Sequence, residues 1–276
     1  MNPIITHDQF LQLKQSSPLV SVIVPTYESA LFIEECLRSI KNQSHSSVEI
    51  IVIDNYSEDD TRKIAERYGA IVIPSKSIRS KARNIGASLA KGEFILSIDS
   101  DMVLGQNVIT SCLNETRLGY DAIIIPEVSF GQSYWAKCRA LEKVSYFNNN
   151  MIEAPRFFAK SSFDNIGGYN PILEAGEDWD LHQRIKQSGC RIGRINEIIL
   201  HDEDKLTLKN AVMKKYSYGK GFKLYRKMHP REGINRLVYK ASLVAKLPLF
   251  VRYPYHASGM FLMKYCELVA FLIGMI

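Results

Sequence analysis

The sequence predicts an α/β fold: a mostly parallel sheet flanked by helices, followed by a basic, partly apolar helical extension. Three observations predict it. Continuously apolar, β-branched runs alternate with stretches whose apolar residues recur at helical spacing. Polar and acidic residues stand where those runs end. Charge divides the 276-residue chain near residue 204: residues 1–204 carry 21 Lys and Arg against 27 Asp and Glu, whereas 205–252 carry 13 basic residues and one acid, Glu232.

Taken in order, "LVSVIVPTY" (19–27) reads as a strand buried on both faces, and Ile33, Cys36, Leu37 and Ile40 follow it on one face of a helix. "VEIIVIDN" (48–55) is a second strand, and "DDTRKIAERYG" a short helix closed by Gly69. "AIVIPS" (70–75) is a third strand. The helix "RSKARNIGASLA" carries Ala82, Ile85, Gly86 and Leu89 on one face and leads into "FILSIDSDMVL" (94–104). Strands joined through helices form parallel sheets with right-handed crossovers, whose ligands bind at the carboxyl ends of the strands. Tyr27, Asp54 and Asp99 lie at such ends. "RINEIILHDED" (194–204) is another strand with a polar end at His201.

Composition bounds the rest. With 46% hydrophobic and 23% charged residues the chain is ordinary for a globular protein with a sizeable core. The five cysteines are scattered, without a C-x-x-C pair or Cys/His cluster, and are expected to be reduced. The N-terminus has no basic segment followed by an apolar run and cleavage site, so the active part is expected in the cytoplasm.

Asp99 and Asp101 raise the chemical question. Two carboxylates at the mouth of a sheet repel each other and lose solvation, a cost that a cation or ordered donors must offset. A hard divalent ion, Mg²⁺ or Mn²⁺, takes oxygen ligands and is often completed by a substrate's phosphates. Alone, however, the same pair sits harmlessly on a surface loop.

"SVIVPTYE", "VIDNYSEDDT", "KARNIGASLAKGEFILSIDSD" and "GGYNPILEAGEDWDLHQRI" occur in an order and spacing that resembles the family 2 glycosyltransferases of the GT-A (Rossmann-like) fold, over about residues 18–202. The resemblance implies metal-dependent, inverting transfer of a sugar from a nucleotide diphosphate-sugar to an acceptor. It implies that Pro25, Thr26, Tyr27, Glu28 and Asp54 line the nucleotide pocket and that Arg83 contacts the nucleotide or its diphosphate. Asp99 would face the ribose and the metal, and Asp101 would bind the metal directly. In the family the E-D pair supplies the general base, here Asp178 first and Glu177 second. His201 is a third metal ligand or an ordinary hydrogen-bonded histidine. Arg156 and Trp179 would shape the acceptor site, although Trp179 reads equally as core, and Arg184 matches a basic family position or a solvated helix face.

The family commonly has a second acid where this chain has Asn55. An amide both donates and accepts, so the base of the nucleotide stays open, and a strand-ending Asx turn accounts for Asp54-Asn55 as well. Glu177 and Asp178 also read as acids capping a helix that starts after Gly176, anchored by Leu181 and Ile185. There is no G-x-x-x-x-G-K-[ST] loop, G-x-S-x-G elbow or H-E-x-x-H, and Met102-Val103 after the D-x-D lacks the threonine of aspartyl-phosphate phosphatases. Without a Q-x-x-R-W stretch, single transfers are expected rather than polymerisation. A non-catalytic nucleotide-sugar-binding relative, or a nucleic-acid-binding protein acting through "KKYSYGKGFKLYRKMHPR" (214–231), remains an alternative.

Residues 1–204 are thus expected to form the catalytic domain and 205–276 the extension. Its tail, "YPYHASGMFLMKYCELVAFLIGMI" (253–276), is broken by Lys264 and Glu267, leaving an uncharged run of nine residues, too short to span a bilayer. Cations and aromatics beside such a segment suit a helix lying on an anionic membrane. The expectation is a peripheral enzyme on the inner face of the cell membrane, with a lipid-linked or glycan acceptor and no nucleic-acid partner. A tail packed on the domain, or in a homo-oligomer interface, is the alternative.

Overall fold

The structure, a computed structural model, describes residues 17–147, 153–229 and 247–276. Part of the basic block, residues 230–246, therefore lies outside the described residues. The first half follows the alternation of period. It runs β1 (Val20–Thr26), α1 (Ile33–Lys41), β2 (Val48–Asp54), α2 (Thr61–Arg67), β3 (Ile71–Pro74), α3 (Arg79–Leu89) and β4 (Phe94–Ser97). Strands β1, β2 and β4 are buried along most of their length because helices cover both faces. One cluster packs Ile33, Cys36, Leu37 and Ile40 of α1 beneath Val22, Val24, Val52 and Leu96. The other sets Ala82 and Ala87 of α3 against Ile23, Ile51 and Ile53. At Gly86 the two layers meet so closely that a Cβ would stand 2.4 Å from the Ile23 side chain.

Later come β5 (Met102–Leu104), α4 (Val108–Arg117), β6 (Ala122–Ile124), β7 (Glu127–Phe130), α5 (Tyr134–Tyr146), β8 (Phe157–Ala159), α6 (Lys160–Ile166), α7 (Glu177–Gln187), β9 (Ile192–Arg194) and β10 (Ile199–Asp202). Seven strands form one sheet in the order β3-β2-β1-β4-β8-β6-β9. Every pairing is parallel except those of β8, which runs antiparallel to both β4 and β6. Its Phe157 and Phe158 plug into the two apolar clusters on opposite faces. The parallel register is what makes a site: Thr26 lies opposite Asp54, and Ile23 opposite Ser97, so Tyr27, Asn55 and Asp99 emerge on one rim.

A second, three-stranded sheet, β5-β10-β7, was not foreseen from sequence. Of "RINEIILHDED", expected to be a strand throughout, only Ile199–Asp202 joins it. Strand β10 runs antiparallel to β5 and parallel to β7, and the Asp202 N–H donates to the Asp101 carbonyl at 2.9 Å.

The extension forms α8 (Leu208–Met228), α9 (Leu247–Arg252) and α10 (Pro254–Met275). Helix α10 packs on α5 and α8 through Cys138, Leu141, Ala211, Ala257, Met260 and Met263. The backbones of α8 and α10 touch where they cross: a Cβ on Gly219 would meet the Phe271 carbonyl oxygen at 2.2 Å, and one on Gly274 the Tyr216 oxygen at 2.2 Å. Lys264 and Glu267 do not break the helix, because both point inward. Lys264 pairs with Glu142 (2.7 Å) and Glu267 (2.9 Å), while Arg139 pairs with both carboxylates. The apolar stretch is therefore not limited to nine residues. A 22-residue helix whose most apolar 18-residue window has mean hydropathy 1.4, α10 is long and apolar enough to cross a membrane by length and composition alone. Its outward side presents Tyr255, Phe261, Leu262, Tyr265, Leu268, Val269, Leu272 and Ile273.

Candidate active site

The rim of the sheet, the second sheet and α7 surround a cavity of about 980 Å³. That is at the top of the range of roughly 300–1,000 Å³ usual for small-ligand sites. Its floor holds Asp99, Asp101, Arg156, Glu177, Asp178 and His201.

Arg83, on the inner face of α3, organises these acids from behind. It is only 1% exposed, and its guanidinium donates to Asp178 Oδ1 at 2.8 Å and Asp99 Oδ1 at 2.9 Å, with Glu177 Oε1 at 3.5 Å. Tyr169 lies under it, 5.1 Å from ring centre to Cζ. A planar fork with several donors suits a buried site flanked by carboxylates. Burial by itself would raise the Asp99 carboxyl, but Arg83, then Arg79 and Arg156, outweigh it and hold Asp99 well below the usual carboxylate range.

Gly176 takes φ +82°, a left-handed conformation open to glycine at little cost, and so turns the chain sharply into α7. Leu181 and Ile185 anchor that helix in the core. Glu177 is thereby buried, whereas Asp178 keeps 32% of its side chain exposed toward the cavity. Burial first, and the charge of Asp178 second, push the Glu177 carboxyl from its ordinary 4.5 up to about 7, against the pull of Arg83 and Arg79. The folded state then binds this proton more tightly than the unfolded chain. The stability that depends on it is complete below pH 4.5 and is lost as pH rises through 7. In melts with EDTA from pH 5 to 8, Glu177→Gln should show a shallower decline than wild type and be the more stable of the two at pH 8. Parallel curves would sink this assignment.

The second sheet supplies the opposite wall. His201 Nδ1 lies 2.6 Å from Glu127 Oε1 and Nε2 lies 3.1 Å from Asp101 Oδ2. Burial lowers the imidazole pKa, but the two carboxylates more than offset it and push His201 up to about 9. Glu127 also takes ion pairs from Lys143 and Arg156, the latter at 3.2 Å. Glu127, Lys143 and Arg79 all line the cavity, and the sequence reading missed all three. An acid closing the apolar run "AIIIPE" was the available signal for Glu127.

The test for a cation is the donor set. Asp101 Oδ1 is buried without a hydrogen-bond partner, an arrangement that a hard cation would satisfy. His201 stands beside it. Asp99 does not join them, since its oxygens face Arg83, Arg79 and Arg156. Among the described residues no three His, Cys, Asp or Glu side chains gather as a closed metal cage. Phosphate oxygens and water commonly complete the shell of Mg²⁺ or Mn²⁺, so one carboxylate with an open face fits such an ion.

The remaining expected residues divide in two. Pro25, Thr26, Asn55, Trp179 and an exposed Tyr27 line the cavity. Asp54 and Glu28 do not. Asp54 is fully buried and accepts from Thr26 Oγ1 (2.9 Å) and from the Ser57 N–H and hydroxyl three residues on, which fixes the loop at the rim. Glu28, at φ +48°, accepts from the Glu58 N–H. Trp179 serves both readings, bordering the cavity while packing edge-on against Phe222 and Tyr225. Arg184 is structural: it pairs with Asp180 at 2.7 Å and donates to the Ile166 and Gly168 carbonyls.

A family model described as glycosyl transferase family 2 matches residues 21–173. The chain is 32% identical over 108 residues to Glycosyltransferase GlyG of Streptococcus pneumoniae serotype 4, covering 37% of this chain and 36% of that one. It is 26% identical over 217 residues to the GalNAc(5)-diNAcBac-PP-undecaprenol beta-1,3-glucosyltransferase of Campylobacter jejuni, covering 76% and 65%. The chain thus spans less than two thirds of the length of these relatives. Its fold resembles that of a mannosyltransferase from Pyrobaculum calidifontis solved with GDP-Man and Mn2+, at a TM-score of 0.59 and 18% identity over 95% of this chain and 88% of the other.

Proposed function

Since this chain belongs to glycosyl transferase family 2, we propose that it moves a sugar from a nucleotide diphosphate-sugar onto an acceptor hydroxyl, a lipid-linked or glycan acceptor of the cell envelope, with inversion at the anomeric carbon. One observation carries the reading. Asp101, with its unpartnered oxygen, and Asp178, held by Arg83 and half open, face the same cavity.

The residues divide the work. Tyr27 offers an exposed ring for the base, and Asn55 a donor and an acceptor beside it. Asp101 would hold Mn²⁺ or Mg²⁺, joined by His201 once it gives up its Nε2 proton, and the ion would supply charge neutralisation at the departing diphosphate. Arg79 and Arg156 add positive charge at the same end. Asp178 takes the proton of the acceptor hydroxyl as its oxygen bonds to the anomeric carbon, and the bond to the diphosphate breaks with its electron pair going to the phosphate oxygen. A single displacement of this kind inverts. Glu177, buried and partly protonated near neutral pH, is less suited to be the base than Asp178.

The test is thermal stabilisation by a panel of nucleoside diphosphates with and without Mn²⁺. Wild type should be stabilised by one base in a cation-dependent way, since a ligand bound only by the folded state raises stability by mass action. Asp101→Ala should lose the cation dependence and still fold, its apo melting temperature lowered only by loss of the ion pair to His201. Cation-dependent stabilisation of that variant equal to wild type would refute the metal assignment.

The same reading places the enzyme peripherally on an anionic membrane. Helix α10 buries its two charges inward and turns apolar residues outward, and the adjoining α8 carries Lys209, Lys220, Lys223, Arg226 and Lys227. Those cations would have to enter the hydrocarbon if α10 spanned the bilayer with α8 packed along it, at a cost that favours α10 lying in the interface. Each cation near an anionic surface contributes about 1 kcal/mol. Cosedimentation with vesicles containing phosphatidylglycerol should be strong for wild type and lost in L262E/V269E/I273E, three changes on the exposed side of α10. Equal sedimentation of both proteins would exclude this surface.

A further inference from the structure

We infer, resting on the reading of Asp178 as the general base, that the extension is a working part of the active site: Tyr225 and His229 of α8 are positioning residues that hold the turn carrying Asp178.

That turn is weakly secured from within. Gly176 caps α7 without a side chain to bond the free N–H groups of the helix start. Glu177, Asp178 and Asp180 place three acids in the first turn, where the helix dipole favours each but their charges repel one another. Arg83 holds Glu177 and Asp178 from the side of the sheet. A general base must stay within hydrogen-bond reach of the proton it takes, and a misplacement of about 1 Å costs about 10²-fold in rate. The face of the turn away from the sheet therefore needs a support as well.

One face of α8 provides it. Phe222, Tyr225 and His229 recur at helical spacing, and each meets the turn. A Cβ on Gly176 would stand 2.9 Å from the Tyr225 ring, and one on Gly221 would stand 3.2 Å from the Ala175 Cβ. Trp179 packs edge-on against Phe222 and Tyr225, with ring centres 6.4 and 6.2 Å away. Tyr225 is fully buried between Phe222, at 5.1 Å, and His229, at 4.7 Å between ring centres. His229 in turn bonds Asp180: its Nε2 lies 2.8 Å from Oδ1, while Arg184 takes Oδ2 at 2.7 Å. Asp180 is 1% exposed, so each oxygen of a buried carboxylate has its own donor. A carboxylate only accepts, which puts the proton on Nε2. Residues 175, 176, 179 and 180 are thus held by α8 on both sides of Asp178, which itself faces the cavity. Helix α8 is backed by α10, whose Gly274 it meets at Gly219.

The experiment compares the full-length wild type in neutral detergent with H229L, which keeps bulk but has no donor, and H229Q, whose amide N–H can donate to Asp180 in place of the imidazole. Hydrogen exchange of the apo proteins, read by mass spectrometry, should be at least tenfold faster in H229L over residues 174–183, with β1, β2 and α10 unchanged, and H229Q should return to the wild-type rate. Release of nucleoside diphosphate from UDP-GlcNAc or GDP-mannose, with water in place of the acceptor, should fall about ten- to a hundredfold in H229L at unchanged donor affinity. H229Q should recover most of that rate. Exchange in H229L equal to wild type over 174–183, or raised evenly over the whole protein, overturns the inference. So does a loosened turn with an undiminished rate, which would make His229 structural only. Release by wild type from neither donor counts against the transferase reading, and the exchange comparison then still decides whether α8 holds the turn.

Discussion

Asp178→Asn should lower kcat by roughly 10²–10⁴, the range for loss of a general base, with little change in the affinity for the donor. Asparagine keeps the oxygen that accepts from Arg83 at 2.8 Å, so the floor of the cavity should keep its shape. What it loses is the ability to take a proton from the acceptor hydroxyl. The check is steady-state kinetics together with donor affinity from the cation-dependent thermal shift. If donor affinity and kcat fall by the same factor, Asp178 is a binding or structural residue and the base must be sought elsewhere.

Arg83→Met should be the most destabilising single change in the catalytic half. It leaves Asp99, Glu177 and Asp178 clustered without their common cation, and removing one partner from a buried ion pair costs about 3–5 kcal/mol. Methionine fills much of the volume, so the loss reports charge more than packing. The effect should be smaller at pH 5 than at pH 8, because protonating Glu177 relieves part of the repulsion. Urea midpoints at the two pH values measure this directly. A loss under about 1 kcal/mol at both would mean that water in the cavity already solvates the three acids, and that Arg83 does not organise them.

These two residues show where reading the sequence succeeds and where it stops. The place of Asp178 in the first turn of α7 was legible because its setting is local: a glycine turn, two acids and a helix with Leu181 and Ile185 at i+3 and i+7 from it all fall within ten residues. Arg83 was singled out from sequence, but not what it contacts. From sequence it faced the nucleotide; in the fold it lies behind the cavity, because α3 presses that face onto the sheet and its nearest anions are the protein's own. Glu127 was missed altogether. Its importance depends on β7 lying beside β10, whose His201 is 74 residues away, and strands of three or four residues leave too short a pattern to reveal their partners.

The sequence by itself determined the alternation of β1 to β4 with α1 to α3, and the placing of Tyr27, Asp54 and Asp99 at strand ends, since periodicity and turn chemistry act over a few residues. Tertiary structure decided which acids share a cation. Asp99 went to the arginines, and Asp101 was left with His201 and one unpartnered oxygen. It also decided the character of the tail. Lys264 and Glu267 read in the sequence as interruptions of an apolar run, but Arg139 and Glu142 on α5 draw them inward. A buried charge goes where its counter-charge is, and that position is fixed by packing between helices more than a hundred residues apart in the chain.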